Sequence, residues 1–370
     1  MVRMLRRATG RTPIAIDVGH GGVRAVQLER NGEGWNVVRA ARYESDASDD
    51  PDGLNAEDLE RRLRACLAQA EFRGRKVHLV LSSPDVECHA LELPAALCSQ
   101  PESQVAAVVR SEILRLEGDT ESNDGSDVQV AHWSLPPCAR AGPNMLGVAV
   151  HRGLIGRAVQ ACDKVRLDCR RVDVAAAALG RLGATLHTWE PDEVWGVLDV
   201  GHRQTRLVLC VEEVPVLVRT AGTGGGAWTR RIVESLEISQ RAAEIHKREH
   251  GLALPRSVRT KSGPGHTRSQ LGSMLFGALR SDLNALAAEV KRSYEYILSC
   301  YAPKKAADLV LVGGGAALGN LPEYLSRELG IPVRLASEYV ADQSCRIRCD
   351  AAAQLRFDVL ALATGMAITL

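Results

Sequence analysis

The sequence has almost no excess of charge of either sign. Its 46 lysine and arginine residues are matched by 45 aspartate and glutamate residues, so 370 residues have a formal net charge of +1. Such a balanced chain has no overall field that would hold it on a nucleic-acid backbone or an anionic membrane. The chain is therefore not a protein that binds nucleic acid through its net charge, and we expect no nucleic-acid partner.

Long apolar runs and clustered cysteines are also missing. No stretch approaches the roughly 18 to 20 apolar residues of a membrane-spanning helix, and the start of the chain, MVRMLRR, lacks the apolar core of a secretory signal. The ten cysteines form no C-x-x-C pair and no zinc-like spacing with histidine. Scattered cysteines of this kind are typical of small core residues in a reducing compartment. We expect a cytoplasmic protein.

An internal repeat is the most informative feature that the sequence does have. Residues 16–26, IDVGHGGVRAV, return at residues 198–208 as LDVGHRQTRLV, with Asp, Val, Gly, His, Arg and the last Val in register. Each copy has an apolar run, an aspartate, a polar turn containing glycine and an alternating segment, which predicts a β-hairpin. Two similar hairpins half a chain apart predict two similar domains.

Strand and helix patterns alternate in both halves of the chain, which is typical of the α/β class. Between residues 86 and 150 the pattern changes to one strand, one helix and two further strands. This change predicts a small α+β subdomain inserted into the first domain.

The two hairpins also have the composition of a phosphate clamp. Asp17 and Asp199 each stand at the end of a strand, directly before a turn that contains glycine. Glycine lets the backbone approach a ligand, N–H groups of the turn can bind an anion, and a carboxylate can hold Mg²⁺ through water. The turn at residues 313–315 follows another apolar strand and offers backbone against which a flat ring could lie. One such hairpin alone would be read as a plain turn, but the pair favours the clamp.

This order of motifs resembles the superfamily of actin, hexokinase and heat-shock-chaperone ATPases. Within it the chain is most similar to the type IV pilus assembly protein PilM family, which is related to the cell-division protein FtsA. The segments that carry the similarity are LVLSSP at 79–84, LELP at 91–94, EVKRSYEY at 289–296, VGGGAALGNL at 312–321 and ALATG at 361–365.

The resemblance implies an α/β, two-lobed actin-like ATPase fold of duplicated RNase H-like domains, with a small α+β subdomain inserted in the first lobe. The implied ranges are 12–85, 151–192 and 357–370 for the first lobe, 86–150 for the inserted partner-binding subdomain, 193–227 and 301–356 for the core of the second lobe, and 228–300 for an insertion in the second lobe.

The resemblance also implies a site for ATP and Mg²⁺, with the metal held through water by Asp17 and Asp199. The implied nucleotide-binding residues lie in the two hairpins, a glycine turn, a Glu-x-x-Lys helix and a late adenosine loop: Asp17, Gly19, His20, Gly21, Gly22, Asp199, Gly201, His202, Thr205, Gly222, Gly224, Gly225, Glu244, Lys247, Gly313, Gly314, Gly315 and Leu318. His20 and residues 202–204 replace the small residues that are usual in the family, so they either contact phosphate or fill the pocket. On spacing alone, Glu244 and Lys247 are equally well a solvated ion pair.

The implied function is that of a cytoplasmic nucleotide-binding adaptor in the inner-membrane platform of a type IV pilus, competence or type II secretion-like system. The adaptor would dock a cytoplasmic peptide of a PilN-like membrane protein between the first lobe and the inserted subdomain, and would reach the membrane only through that partner. No carboxylate is placed as a strong base, so any ATP hydrolysis is expected to be slow and no catalytic residue is assigned. Association with copies of itself is left open.

Two alternatives remain at this point. One is a small-molecule kinase or phosphatase of the hexokinase or acetate kinase type, for which Asp85 and Asp173 are candidate catalytic residues without motif context. The other is an FtsA-like filament former. Such a protein usually needs a basic amphipathic C-terminal tail, whereas this sequence ends in the apolar residues MAITL.

Overall fold

The chain folds into two compact units, each with its own central sheet. The structure is a computed structural model that describes residues 10–44, 55–82, 86–117, 127–139, 142–253, 270–342, 345–349 and 357–368. Unit 1 consists of Met1–Ser82, Gly156–Thr188 and Ala336–Leu370, and unit 2 consists of Ser83–Ile155 and Trp189–Leu335.

Strands and helices alternate along most of the described chain, as the sequence predicts. The strands are β1 (Ile14–Gly19), β2 (Gly22–Asn31), β3 (Gly34–Glu44), β4 (Lys76–Leu81), β5 (Val86–Leu91), β6 (Val128–Ser134), β7 (Met145–His151), β8 (Asp168–Val174), β9 (Glu193–Val200), β10 (Thr205–Val211), β11 (Val214–Ala221), β12 (Lys305–Val312), β13 (Val333–Leu335) and β14 (Ile347–Arg348). The helices are α1 (Ala56–Leu67), α2 (Ala95–Cys98), α3 (Glu102–Leu116), α4 (Arg152–Lys164), α5 (Ala175–Leu186), α6 (Gly225–Leu236), α7 (Gln240–Glu249), α8 (Gln270–Cys300), α9 (Leu321–Leu329), α10 (Ala336–Ala341) and α11 (Phe357–Ala367).

Unit 1 is built on a six-stranded sheet with the strand order β14-β3-β2-β1-β4-β8. Strands β1 to β3 form an antiparallel meander, and β4 and β8 add to β1 in parallel. Helix α11 packs against α5, β1 and β2. Ten of its eleven residues are buried, which explains its largely apolar sequence.

Residues 336–356 belong to unit 1, although the sequence places them in the core of the second lobe. Their described part contacts unit 1 directly: Ile347 in β14 pairs with Trp35 in β3, and the Ser337 N–H donates to Asp358 Oδ1 over 2.8 Å. The Ser337 hydroxyl also donates to the other oxygen of the buried Asp358 carboxylate, over 3.0 Å. A buried carboxylate needs such donors, and these hold α10 against α11.

Unit 2 contains a five-stranded sheet with the order β11-β10-β9-β12-β13 and a three-stranded antiparallel sheet with the order β5-β7-β6. The 31-residue helix α8 packs on the larger sheet. Its buried residues recur every three or four positions, as a helix with one apolar face requires: Leu275, Leu279, Leu283, Leu286 and Val290.

The inserted subdomain, residues 86–150, contains the three-stranded sheet and α3. It has an apolar core of its own, which includes Val105, Val109 and Ile113. It also contacts the rest of unit 2: the Trp133 indole N–H donates to the Pro215 carbonyl over 2.8 Å, and the Ala139 N–H donates to the Cys300 carbonyl over 2.8 Å. These contacts explain why the subdomain is grouped with unit 2, while its place in the sequence interrupts unit 1.

The cysteines are free thiols, and several of them are core residues. Burial raises the pKa of Cys66 to about 12 and that of Cys88 to about 11. Such thiols stay protonated at neutral pH and act as small apolar side chains. Within the part of the chain that the structure describes, no helix has both the length and the apolar composition needed to cross a membrane.

Gly365, in the ALATG segment near the end of the chain, allows α11 to touch α5. A Cβ atom on Gly365 would overlap the carbonyl group of Ala178. We therefore expect Gly365→Ala to lower the free energy of unfolding by about 2 kcal/mol, because the two helices must separate or distort. Urea denaturation measures this change.

Gly277→Ala in α8 is the matched control, since a Cβ at Gly277 would meet open space. That variant should keep the wild-type stability or gain about 0.5–1 kcal/mol from the higher helix propensity of alanine. Equal stability of the two variants would contradict the close packing of α11 on α5.

Candidate functional site

Both predicted phosphate hairpins are formed, and they share one strand register. In unit 1, Asp17 in β1 lies opposite Arg24 in β2. In unit 2, Asp199 in β9 lies opposite Arg206 in β10. The repeat in the sequence therefore corresponds to a repeat in cross-strand pairing, in which each aspartate faces an arginine.

Each pair is a mostly buried ion pair. Arg24 Nη1 lies 3.7 Å from Asp17 Oδ2, and Arg206 Nη1 lies 3.8 Å from Asp199 Oδ2. Buried charges are stable only when they are compensated, and this requirement explains why arginine recurs together with aspartate in the repeat. Sequence reasoning missed both arginines as site residues, although their recurrence was visible.

These pairs bear on the metal that the family resemblance implies. Mg²⁺ bound through water to Asp17 or Asp199 would have to lie next to a fixed guanidinium that already balances the carboxylate. Magnesium ligation by Asp17 and Asp199 therefore stays a prediction, in which the metal would share each carboxylate with an arginine. Arg24 and Arg206 place a positive charge beside each carboxylate.

The turn of the second hairpin is attached to the start of α6. The Gly225 N–H donates to the Gly201 carbonyl over 2.8 Å, and the Gly226 N–H donates to the His202 carbonyl over 2.8 Å. In a trans peptide group the C=O and N–H bonds point in opposite directions. The N–H groups of His202 and Arg203, which complete these two peptide groups, therefore point away from α6.

This arrangement gives the turn an electrostatic direction. The first N–H groups of a helix carry its positive end, and hydrogen bonds in series polarise one another. The positive end of α6 thus polarises two peptide groups of the turn and increases the partial positive charge on their outward N–H groups. His202 and Arg203 are also exposed on this outer side of the turn. Successive N–H groups in a turn are a backbone arrangement that suits an anion.

Lys247 is the centre of a buried polar network between α6 and α7. Its ammonium donates to the Gly225 carbonyl over 2.9 Å, to Thr229 Oγ1 over 2.6 Å and to Glu244 Oε1 over 2.7 Å. An ammonium has three donors, and here all three have acceptors. The Lys247 side chain is only 8% exposed, so the solvated ion pair that the spacing alone allows is not what forms.

The pKa values of this network follow from burial and pairing. Burial lowers the pKa of Lys247, and the neighbouring Glu244 carboxylate opposes that effect. Burial alone would raise the pKa of Glu244, but the ammonium of Lys247 and the Thr229 hydroxyl outweigh it, so that this pKa is lowered. Thr229 is a further residue that sequence reasoning missed, because its position in α6 has no motif.

The predicted adenosine loop lies beside the second hairpin. Val312 at the end of β12 pairs with Asp199 in β9, and a Cβ at Gly313 would overlap the Asp199 carboxylate. Gly313 also has φ = 90°, a conformation that favours glycine. Gly314 is exposed and faces open space, whereas Leu318 is buried in the core.

The structure brings most of the predicted site together within unit 2. The second hairpin, the glycine turn, the Glu244–Lys247 pair and the Gly313–Gly315 loop are connected by the contacts described above; Gly222 lies at the exposed start of the glycine turn. The first hairpin belongs to unit 1, where the buried Arg62 of α1 donates to the His20 carbonyl over 3.5 Å and pairs with Asp58.

The two aspartates considered for a kinase-like reaction gain no support. Asp173 forms ion pairs with Arg181 over 2.9 Å and with Arg171 over 3.0 Å, so its charge is used within unit 1. Asp85 lies outside the described residues.

We expect Lys247→Met to lower the free energy of unfolding by about 3 kcal/mol, since it removes the buried ammonium that balances the Glu244 carboxylate and donates to the Gly225 carbonyl. Lys291→Met on the exposed side of α8 is the control and should change stability by less than about 0.5 kcal/mol. Urea denaturation of both variants measures the difference. A loss as small as that of the control would show that the network adds nothing to stability.

Comparisons with known proteins agree with this geometry. A family model described as "Type IV pilus assembly protein PilM" matches residues 15–261, and one described as "Cell division protein FtsA" matches residues 196–348. Among solved structures, the PilM-PilN type IV pilus biogenesis complex has a TM-score of 0.74 at 22% identity, over 96% of this chain and 97% of that chain. The ethanolamine utilization protein EutJ from Carboxydothermus hydrogenoformans has a TM-score of 0.52 at 14% identity, over 97% and 89%. No protein with a curated description matches the chain.

These matches confirm the predicted fold class, which is the two-lobed actin-like ATPase fold. The PilM model alone covers more than half of the chain, including both hairpins, the inserted subdomain and the Glu244–Lys247 pair. The chain therefore belongs to the type IV pilus assembly protein PilM family.

Proposed function

We propose that this chain is an adaptor of type IV pilus assembly, or of a related competence or secretion system, that works at the cytoplasmic side of the inner membrane. Its partner would be a short cytoplasmic segment of a PilN-like membrane protein, through which it would reach the membrane. Family membership supports the system, and the PilM-PilN complex, whose fold this chain shares, supports the class of partner.

The observation that carries the docking proposal is the construction of the inserted subdomain. It has its own apolar core, and its strand order leaves β5 and β6 at the two edges of the described sheet. Trp133 at the end of β6 is already tied to Pro215. An edge strand such as β5 offers backbone groups to an extended peptide, and nearby apolar side chains give such a peptide its specificity. Leu116 at the end of α3 is 49% exposed, and among the described residues of this subdomain it is the exposed large apolar side chain.

Point variants test the docking proposal better than deletion of residues 86–150. Deletion would remove the partners of Pro215 and Cys300 and uncover apolar core of unit 2. We expect Leu116→Arg to weaken binding of the PilN-like peptide at least about tenfold, because a charge would replace an apolar contact. Fluorescence polarisation with a labelled peptide measures the affinity.

Met274→Arg in α8 is the matched control, because Met274 is equally exposed, at 46%, but lies outside the inserted subdomain. It should bind the peptide as the wild type does. Equal affinity of wild type, Leu116→Arg and Met274→Arg would place the interface elsewhere, and absence of binding by the wild type would contradict the partner class.

We propose further that the chain binds ATP through the turn residues rather than through magnesium. The outward N–H groups of the second hairpin turn and Arg203 would hold the phosphates, and the Gly313–Gly315 loop would hold the adenosine. The polarisation of the turn by α6 and the open space at Gly314 support this assignment. Because the aspartates already balance arginines, we derive no hydrolytic step, and the nucleotide would stabilise the adaptor.

A thermal-shift experiment tests this assignment. We expect ATP to raise the unfolding midpoint in the presence of EDTA, with little further change on addition of Mg²⁺, because ligand binding to the folded state alone must stabilise it. Arg203→Gln should weaken ATP binding roughly tenfold, since a hydrogen bond to a charged group contributes about 1.5–3 kcal/mol. Arg241→Gln, on the exposed surface of α7, is the control and should leave the shift unchanged. A shift that requires Mg²⁺, or no shift at all, would contradict the assignment.

A further inference from the structure

Two histidines of the inserted subdomain lie on either side of its central strand. His89 in β5 and His132 in β6 are both directly opposite Gly147 in β7. Each contacts a glutamate at one end of α3: His89 Nε2 lies 2.6 Å from Glu117 Oε1, and His132 Nε2 lies 3.1 Å from Glu102 Oε1. The subdomain thus contains two similar histidine–glutamate pairs, one at each end of the same helix.

The pair at the C-terminal end of α3 has a third member. Glu87 Oε2 lies 3.8 Å from His89 Nε2, and one ligand atom from each of Glu87, His89 and Glu117 lies within 4.8 Å of the others. Across the residues that the structure describes, no second group of three histidine, cysteine or acidic side chains is this compact. The His132–Glu102 pair therefore provides a natural comparison that lacks the third ligand.

The backbone holds the three side chains in place. Glu87 and His89 are two residues apart in β5, and residues two apart in a strand project from the same face of the sheet. Glu117 is the C-cap residue of α3, whose Val109 and Ile113 belong to the apolar core of the subdomain. Ligands from a strand and from a packed helix are thus brought together without a long loop.

The chemistry of the group fits a divalent transition-metal ion. Zn²⁺ binds imidazole nitrogen and carboxylate oxygen at about 2.0–2.2 Å, so tetrahedral ligand atoms lie roughly 3.4 Å apart. The 3.8 Å between Glu87 Oε2 and His89 Nε2 is close to that value. The 2.6 Å between Glu117 Oε1 and His89 Nε2 is shorter, and rotation of the Glu117 carboxylate would lengthen it. The negative C-terminal end of α3 also favours a cation here, whereas the positive N-terminal end at Glu102 does not.

We propose that Glu87, His89 and Glu117 form a binding site for a divalent transition-metal ion such as Zn²⁺, with water as the fourth ligand. An imidazole and two carboxylates are donors that suit zinc and its neighbours in the first transition row. The bound ion would join β5 to the end of α3 and so stabilise the inserted subdomain. This site is separate from both hairpins and from the proposed nucleotide site.

Titration of the full-length, metal-free protein with Co²⁺ tests the proposal. We expect one equivalent to bind with a weak visible spectrum typical of nitrogen and oxygen ligands, and Zn²⁺ to displace it. Loss of a residue that only orients a metal-coordinating side chain lowers metal affinity about 10- to 100-fold. Loss of a coordinating side chain itself should lower it at least as much. Glu87→Gln and His89→Asn should therefore each bind Co²⁺ at least about tenfold more weakly.

His132→Asn is the matched control and should bind Co²⁺ as the wild type does. The side chain of Glu87 is 57% exposed, so Glu87→Gln keeps the test informative even if His89→Asn disturbs folding. A strong near-ultraviolet thiolate-to-cobalt band would assign binding to cysteines and overturn the proposal. Unchanged affinity in Glu87→Gln, or no binding by the wild type, would also overturn it.

Discussion

The backbone of Gly225 is the point on which the candidate site of unit 2 depends. Its N–H donates to the Gly201 carbonyl in the second hairpin, and its C=O accepts from Lys247 and from the Thr229 hydroxyl. One residue thus connects the hairpin turn, the start of α6 and the buried side of α7. Its neighbour Gly226 repeats the contact with the hairpin at His202. The two bonds to the hairpin join backbone groups only, so they do not require a particular side chain in the turn.

Charge compensation shapes both hairpins. In each hairpin the aspartate carboxylate faces an arginine across the strand pair, so the charge is balanced within the protein. The bulky residues at positions 202–204 leave the carbonyl groups of the turn attached to α6 and its N–H groups directed outward. The turn is therefore held on α6 while it carries bulky side chains.

The sequence predicted the fold well because the relevant signals are local. The alternation of apolar residues identified the two hairpins, and their repetition identified two related units. Contacts between distant segments were harder to predict from the sequence. Strand β14 pairs with β3 across some three hundred residues, and no periodic pattern in the sequence indicates such a pairing. The burial of Lys247 was also visible only in the structure. The Glu-x-x-Lys spacing does not indicate that Thr229 and Gly225 contact this lysine. The role of Arg24 and Arg206 required the strand register, which depends on the length of each turn.

The proposed functions fall on two parts of the chain, a backbone-held turn in unit 2 and an inserted subdomain with its own core. We propose that the turn at residues 201–204 binds phosphate through N–H groups that α6 polarises, without a metal held by Asp199. Amide hydrogen–deuterium exchange with ATP and EDTA tests this claim most directly, because it reports on the backbone groups themselves. We expect slower exchange at residues 202 and 203 on addition of ATP, and no change in α3. Unchanged exchange in this turn, or protection that appears only with Mg²⁺, would contradict it.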